Sequence, residues 1–220
     1  MGANFKIGSI FTNIFSGKSW VNESVPAPSY FVAAGNPVSG NVPSHDDTRP
    51  EALNRFASDN IGFIVVGRSM SPKGIANSDA VACRPIEEGR RGKIPPHKFV
   101  VVKVDKEWYE KKRHTPMFDY KLRYTLGYIP AGADFDSFYK GISQEEDSVL
   151  VERNKKELQC KFEEAMKYYG IEVPLILSLT FKEGMTHYSI HPAYLVEFEV
   201  VELGKLQSDG NWEKSGIPAA

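Results

Sequence analysis

The sequence predicts a mainly β domain with a helical insertion near residues 138–170. Two observations support this prediction. Several short runs of β-branched and apolar residues are bounded by turn-forming residues, which is typical of strands. A single stretch late in the chain has apolar residues at helical spacing instead. The length of 220 residues fits one domain, and we divide the chain into an N-terminal arm at 1–50, a domain at 51–205 and a C-terminal tail at 206–220.

The composition is that of an ordinary globular protein. Hydrophobic residues make up 41% of the chain and charged residues 25%, and the net charge of −1 gives no reason to expect nucleic acid or an acidic membrane as the main partner. The two cysteines, Cys83 and Cys160, lie far apart and read as free thiols. The sequence has no apolar run of about 20 residues and no secretory signal pattern. We therefore expect a cytoplasmic protein without metal or cofactor.

The N-terminal arm combines an amphipathic segment with a polar stretch. Five apolar side chains predict one helical stripe over residues 4–16, which ends at Gly17. The stripe would pack on its own domain, on a partner protein or on a membrane surface, and its pattern leaves these three open. Residues 17–50 are rich in Gly, Pro, Ser and Asn and predict an extended, flexible arm. The apolar residues of the stripe are Ile7, Ile10, Phe11, Ile14 and Phe15.

The domain begins after Pro50 with a short helix, EALNRFASDN, and continues with strands. The runs IGFIVV, DAVACRPI and KFVVVKVD predict three of them. Residues 118–129, FDYKLRYTLGYI, alternate apolar and polar side chains and predict a half-buried strand. A helix follows that ends at Gly170, and VPLILSLTF and AYLVEFEVVEL return to strand patterns.

Ser69 is the first candidate for catalysis. It lies after a predicted strand, in the turn GRSMSPKG, where a serine can project its hydroxyl beside unpaired backbone N–H groups. Many structural turns share these features, so the physical argument by itself is compatible with a turn of no catalytic role.

The amino-acid sequence of this stretch is more specific than the turn that it predicts. Gly67-x-Ser69-Met70-x-Pro72-x-Gly74-Ile75, followed by Asp79, resembles the self-cleaving family of LexA repressors, UmuD and the lambda-type repressors. The resemblance implies a peptidase fold of small twisted sheets, in which Ser69 is the nucleophile and Gly67, Ser69 and Met70 form the oxyanion turn. It also implies a lysine base on a later strand.

The resemblance extends to a cleavage segment. VAAGNP is similar to the family's scissile segment and places the bond at Ala34–Gly35. Gly35 precedes Ser69 by 34 residues, which is similar to the family's separation. The resemblance covers about residues 28–125 and includes the strands near 186–203. It implies that the chain cuts itself once, after Ala34.

Two lysines are candidates for the base. A lysine accepts a proton only when neutral, so its pKa must fall by about 3 units from about 10.4, which burial can achieve. Lys121 lies on the alternating strand between Tyr120 and Leu122, and this choice requires a long hairpin loop at about 106–117. Lys111 lies among charged residues that would keep it hydrated. We prefer Lys121 and keep Lys111 as the second choice.

The short arm gives the layout of UmuD. Only 34 residues precede Gly35, too few for a helix-turn-helix, so we expect no direct sequence-specific DNA binding. The resemblance implies a homodimer that serves the DNA-damage (SOS) response or translesion synthesis, with the RecA filament and a translesion DNA polymerase as partners. Arg68 and Ser78 depart from the family pattern, in which glycine commonly precedes Asp79. The 138–170 insertion has no counterpart in UmuD.

Two other readings stay open. One is a signal-peptidase-like protease that acts on other chains, against which the absence of a predicted membrane anchor argues. The other is a catalytically silent, repressor-like binding or adaptor module, in which GRRGK (89–93) and KKRH (111–114) would bind nucleic acid instead of being solvated loops. His187 and His191 lie four residues apart on a predicted strand, about 13 Å from each other, which argues against a shared metal.

Overall fold

The computed structural model describes residues 30–34, 50–111, 118–145, 154–182 and 185–218. The predicted helix over residues 4–16 and Gly35 lie outside these ranges. Within them the protein is mainly β, as the sequence predicts, and the helices are few. The strands are β1 (Phe31–Ala34), β2 (Ile61–Val66), β3 (Ala80–Pro85), β4 (Phe99–Lys103), β5 (Tyr120–Ile129), β6 (Leu175–Lys182), β7 (Met185–Pro192), β8 (Val196–Leu206) and β9 (Trp212–Ser215). The helices are α1 (Glu51–Ala57), α2 (Lys106–Lys111), α3 (Phe135–Glu145) and α4 (Lys155–Tyr169).

All nine strands form one mixed sheet, in the order β1-β2-β3-β8-β4-β5-β6-β7, with β9 beside β8. A further pairing of β1 with β5 closes the first six strands of this order into a ring. We expected several small sheets. One continuous sheet forms instead because β8 is long enough, at eleven residues, to pair with β3, β4 and β9.

The strand β1 is the only strand of the described part of the chain that pairs exclusively in parallel. It lies between β2 and β5, with Ala33 opposite both Val66 and Lys121. Its four residues FVAA are all apolar and at most 2% exposed. The prediction of a flexible arm is therefore wrong for these residues, because small and apolar side chains let both faces of the strand be buried.

The helical insertion near 138–170 is present as α3 and α4. The apolar face of α4 presents Leu158, Phe162 and Ala165 to the core, where Phe162 stacks on Phe138 of α3. The predicted long hairpin loop at about 106–117 contains α2, and residues 112–117 lie outside the described part of the chain.

The predicted C-terminal tail at 206–220 contains β9, which pairs with β8 across a tight turn. Gly210 has φ of +81° there, and the amide of Gln207 donates to the carbonyl of Asn211. Trp212 is buried against α1 and β3 side chains, so this apolar contact holds the hairpin on the domain. No helix in the described ranges is both long and apolar enough to cross a membrane.

Candidate active site

The loop that carries Ser69 is anchored by buried side chains on both sides of a tight turn. It leaves β2 at Gly67, whose φ of +105° favours glycine. The next three residues lead into a short 3₁₀ turn at Ser71–Lys73, which ends at Gly74 with φ of +80°. Met70 and Ile75 are fully buried in the main core, and the amide of Ile75 donates to the carbonyl of Met70. Ser69 is thereby held between two fixed points.

Polar contacts hold the rest of this loop. The amide of Gly67 donates to Oδ1 of Asn77 at 2.8 Å. Asp79, which is buried, accepts the amide of Ala76 at 2.6 Å and forms an ion pair with Lys205 of β8. The Lys205 ammonium also donates to the carbonyl of Gly74. The loop is therefore tied at its start, middle and end before any substrate is considered.

Ser78, which directly precedes Asp79, has φ of +73°. This is the left-handed region that glycine occupies at little cost. Ser78 therefore adopts a backbone conformation that glycine would adopt more easily. The indole Nε1 of Trp212 stabilises it by donating to the carbonyl of Ser78 at 2.9 Å.

The backbone around Ser69 has donors to offer. The described residues provide no hydrogen-bond acceptor for the amides of Ser69 or Met70. The Ser69 carbonyl is engaged, since it accepts the amide of Phe181 from β6 at 3.0 Å. Unpaired amides beside a serine hydroxyl are what an oxyanion site requires.

The predicted scissile segment lies beside this turn. Ala34 ends β1, and its carbonyl oxygen packs on Gly67 so closely that a Cβ added to Gly67 would lie 2.6 Å from it. Ala33 is opposite Lys121, and Ala34 is opposite Leu122. Two segments about 35 residues apart in sequence, and the strand that bears the preferred lysine, therefore meet at one place in the fold.

Lys121 has the properties that a lysine base needs. Burial, and after it the positive charge of Arg123, lowers the pKa of Lys121 to about 7. Its amine hydrogen-bonds to the hydroxyl of Tyr109, a residue of α2. No hydrogen bond joins Lys121 to Ser69 among the described residues, although both side chains line the same cavity. Proton transfer would require Lys121 to exchange Tyr109 for Ser69.

Lys111, the second choice for the base, lies elsewhere. It is exposed on α2, and its amine lies 4.4 Å from the centre of the Tyr168 ring. It is not part of the cavity that Ser69 lines. Of the two candidate lysines, Lys121 is therefore the one that lines a cavity together with Ser69.

Several polar residues at this cavity, among them Tyr109, Arg123, His187 and His191, were not predicted as part of a site. The cavity has a volume of about 390 Å³, and Arg123, His187 and His191 line it together with Ser69, Lys121 and Tyr109. The predicted half-buried strand is buried on both faces at its centre, where Arg123 is only 4% exposed. Polar side chains alternate with apolar ones along β5, and β7 carries the pattern His187-x-Ser189-x-His191. These two alternations are the sequence feature that indicates a shared polar face.

The remaining candidates give no second site. Arg91 of the GRRGK segment donates to the carbonyls of Ile86 and Tyr194, so this side chain is tied to its own domain. Residues 112–114 lie outside the described part of the chain. No cluster of metal-binding side chains occurs among the described residues. Cys83 and Cys160 are free, and burial raises the pKa of Cys83.

Comparison of the chain with protein-family models, with curated proteins and with solved structures found no match.

Proposed function

We propose that the protein is a self-cleaving serine peptidase of the LexA and UmuD type that cuts its own chain between Ala34 and Gly35. The observation that supports this most strongly is the position of β1. The carbonyl of Ala34 lies against Gly67, in the loop of Ser69, and Ala33 lies opposite Lys121. Small side chains at these positions allow the close approach of backbone to backbone.

The reaction follows from these positions. Neutral Lys121 accepts the proton of the Ser69 hydroxyl, and Ser69 Oγ attacks the carbonyl carbon of Ala34. The amides of Ser69 and Met70 stabilise the oxyanion. Lys121 then gives the proton to the departing amine of Gly35, and water releases the acyl group from Ser69. Docking of β1 within the same chain supplies the effective concentration of an intramolecular reaction.

The resemblance supports a role for this cleavage. We propose, as for UmuD, a homodimer whose trimming in the DNA-damage response changes its partners, with the RecA filament as the stimulus and a translesion DNA polymerase as the client. Addition of RecA filaments on single-stranded DNA should increase the cleavage rate. A rate that does not respond to them would separate the peptidase from this role.

Intact-mass spectrometry tests the chemistry. After incubation at mildly alkaline pH, we expect fragments that end at Ala34 and begin at Gly35. Ser69→Ala and Lys121→Ala should each abolish them, and Lys111→Ala should not. Cleavage that is lost in Lys111→Ala and kept in Lys121→Ala would reassign the base. A wild-type chain that stays intact under all these conditions would favour the catalytically silent binding module.

A further inference from the structure

Three polar side chains in the cavity have buried atoms without hydrogen-bond partners among the described residues. They are Nε of Arg123, Nε2 of His187 and Nε2 of His191. Buried polar atoms are hydrogen-bonded in the large majority of cases, so three such atoms in one cavity require an explanation. The proposed cleavage uses none of these three residues.

Arg123 is the most unusual of the three. It is 4% exposed, and its one hydrogen bond goes from Nη1 to the carbonyl of Leu122 at 2.8 Å. No carboxylate pairs with it among the described residues. A buried guanidinium without a counter-charge is strongly unfavourable, and burial lowers the pKa of Arg123 to about 10, still well above neutral pH. The cavity therefore contains a positive charge that lacks an internal partner.

The two histidines lie on the same face of the sheet as Arg123. His187 pairs with Thr180 of β6, and His191 with Ile176. Burial lowers the pKa of His191 well below its ordinary value, and the charges of Arg123, Lys121 and Lys161 lower it further. A neutral histidine can still donate one ring N–H. The acidic groups on the cavity wall are Asp105 and Glu164, and Asp105 is engaged with the amide of Trp108.

We propose that this cavity binds the oxyanion of a small ligand, a phosphate or a carboxylate, through Arg123, His187 and His191. An oxyanion supplies the acceptors that all three atoms lack, and the planar guanidinium matches its geometry. The volume of about 390 Å³ exceeds that of an inorganic ion and lies in the range of small-molecule sites. The ligand is thus an anionic small molecule or the free carboxyl end of a peptide.

The site has a consequence for cleavage that rests on the proposed function. An anion beside Lys121 favours the charged form of the lysine, which cannot accept a proton from Ser69. Bound oxyanion should therefore slow self-cleavage without occupying the place of β1.

Binding is measured first, on full-length Ser69→Ala, so that the result does not depend on cleavage. Calorimetric titration uses inorganic phosphate, acetyl-Ala-Ala with a free carboxylate, and the amide of that dipeptide, all at constant ionic strength. We expect the phosphate or the carboxylate to bind and the amide not to bind. Phosphate binding alone indicates a phosphorylated ligand, and carboxylate binding alone indicates a peptide end.

The variant Arg123→Met tests the site, and Arg84→Met, at an exposed arginine of β3, is its control. Arg123→Met should weaken binding by about tenfold or more and raise the melting temperature without ligand, because it removes an unpaired buried charge. His191→Gln should weaken binding by a smaller factor and serves as the test if Arg123→Met does not fold. The proposal would be overturned if neither anion bound. It would also be overturned if Arg123→Met and His191→Gln both bound the anion with the same affinity as the Ser69→Ala protein without these substitutions. If the wild-type protein cleaves itself more slowly in a solution of the anion that binds than in chloride, this result would support the coupling between anion binding and cleavage.

Discussion

At the scale of single residues, Lys121 shows how a fold makes a base out of a side chain that is ordinarily charged. Lysine on the polar side of an alternating strand would normally reach water. Here that side of β5 faces a cavity closed by α2, α4 and β7, and Arg123 adds a second positive charge nearby. Both effects oppose the ammonium form. Burial of the lysine destabilises the folded state, and the neutral amine that results is the form that the proposed reaction needs.

We predict that the cleavage rate follows the titration of Lys121. Because the pKa of Lys121 is lowered to about 7, the neutral fraction grows with pH across this value. The rate constant should fall about tenfold per pH unit below about 6 and level off above about 8. Rates measured by intact-mass spectrometry in buffers of constant ionic strength check this expectation.

Other charged groups face Lys121 and bear on the profile. His191 stays neutral through this window because its pKa lies well below its ordinary value. His187→Gln is the matched control and should leave the midpoint in place. A midpoint near 10, or a rate independent of pH between 5 and 10, would contradict a buried lysine base. The charged and titratable groups that line the cavity around Lys121 are Lys103, Asp105, Tyr109, Arg123, Lys161, Glu164, Tyr169, His187, Tyr188 and His191.

At the scale of elements, the docking of β1 depends on Gly67. A methyl group at this position would lie 2.6 Å from the carbonyl oxygen of Ala34, and φ of +105° would strain any other residue. We predict that Gly67→Ala displaces β1 from the Ser69 loop and lowers the cleavage rate at least about tenfold. Overpacking of this kind typically costs about 1–3 kcal/mol. Single-turnover cleavage and urea unfolding measure the two effects.

Gly132→Ala separates the clash from the backbone strain. Gly132 has φ of +74°, and an added Cβ there meets no atom within 4 Å. This variant should lose about 1–2 kcal/mol of unfolding free energy and cleave at the wild-type rate. If Gly67→Ala also cleaves at the wild-type rate, then the close contact of Gly67 with Ala34 is not part of the reactive geometry.

A second element-scale prediction concerns the ion pair that ties the Ser69 loop to β8. Lys205 neutralises Asp79, whose side chain is only 7% exposed. In Lys205→Met that buried carboxylate loses its charged partner, so the free energy of unfolding should fall by about 1–3 kcal/mol. The cleavage rate should fall too, because Lys205 also holds the carbonyl of Gly74. Urea titration monitored by tryptophan fluorescence gives the stability.

The control for Lys205 lies on the same hairpin, which β8 and β9 form. Lys214 pairs with Glu202 at 2.8 Å, but the two side chains are 58% and 28% exposed. Because surface ion pairs contribute little, Lys214→Met should change the unfolding free energy by less than about 0.5 kcal/mol. Equal effects of the two substitutions would mean that the burial of Asp79 does not matter.

The strands were predictable from sequence because their local patterns agree with their environment. IGFIVV is apolar throughout and forms β2, and the apolar centre of KFVVVKVD supplies most of β4. The strand β1 was not predicted, since FVAA is short and is surrounded by turn formers, and only the pairing with β2 and β5 explains its conformation. The hairpin that forms β9 was missed although its turn, SDGN, contains the Asp-Gly dipeptide typical of such turns.

The residues of the candidate site also fall into those that the sequence indicates and those that it does not. Ser69 and Lys121 were recognisable as candidates because a turn motif and a strand alternation are local features. Tyr109, Arg123 and His187 were not, because a sequence does not state which strand faces share a cavity. Arg123 in particular reads as a solvent-facing residue until β6, β7 and α4 cover it.

At the scale of the whole molecule, β5 is the strand on which the parts of the site meet. It pairs with β4 along one side, and with β1 and β6 along the other. The contact with β1 closes the ring of strands, and the same contact places Ala33 opposite Lys121. The pairing that closes the ring therefore also brings together the parts of the proposed site, and in the proposed reaction the intact chain is its own bound substrate.

This arrangement predicts that cleavage occurs within one chain. The strand β1 is docked on β2 and β5 of its own domain, so the reaction is intramolecular. The first-order rate constant should therefore be the same at about 1 µM and about 50 µM protein. A mixture of unlabelled wild-type protein with ¹⁵N-labelled Ser69→Ala tests this directly. Mass spectrometry should find only unlabelled fragments, since the labelled chain has a substrate strand but no nucleophile. Labelled fragments that end at Ala34 would show instead that one chain presents its β1 to another, and the rate would then rise with protein concentration.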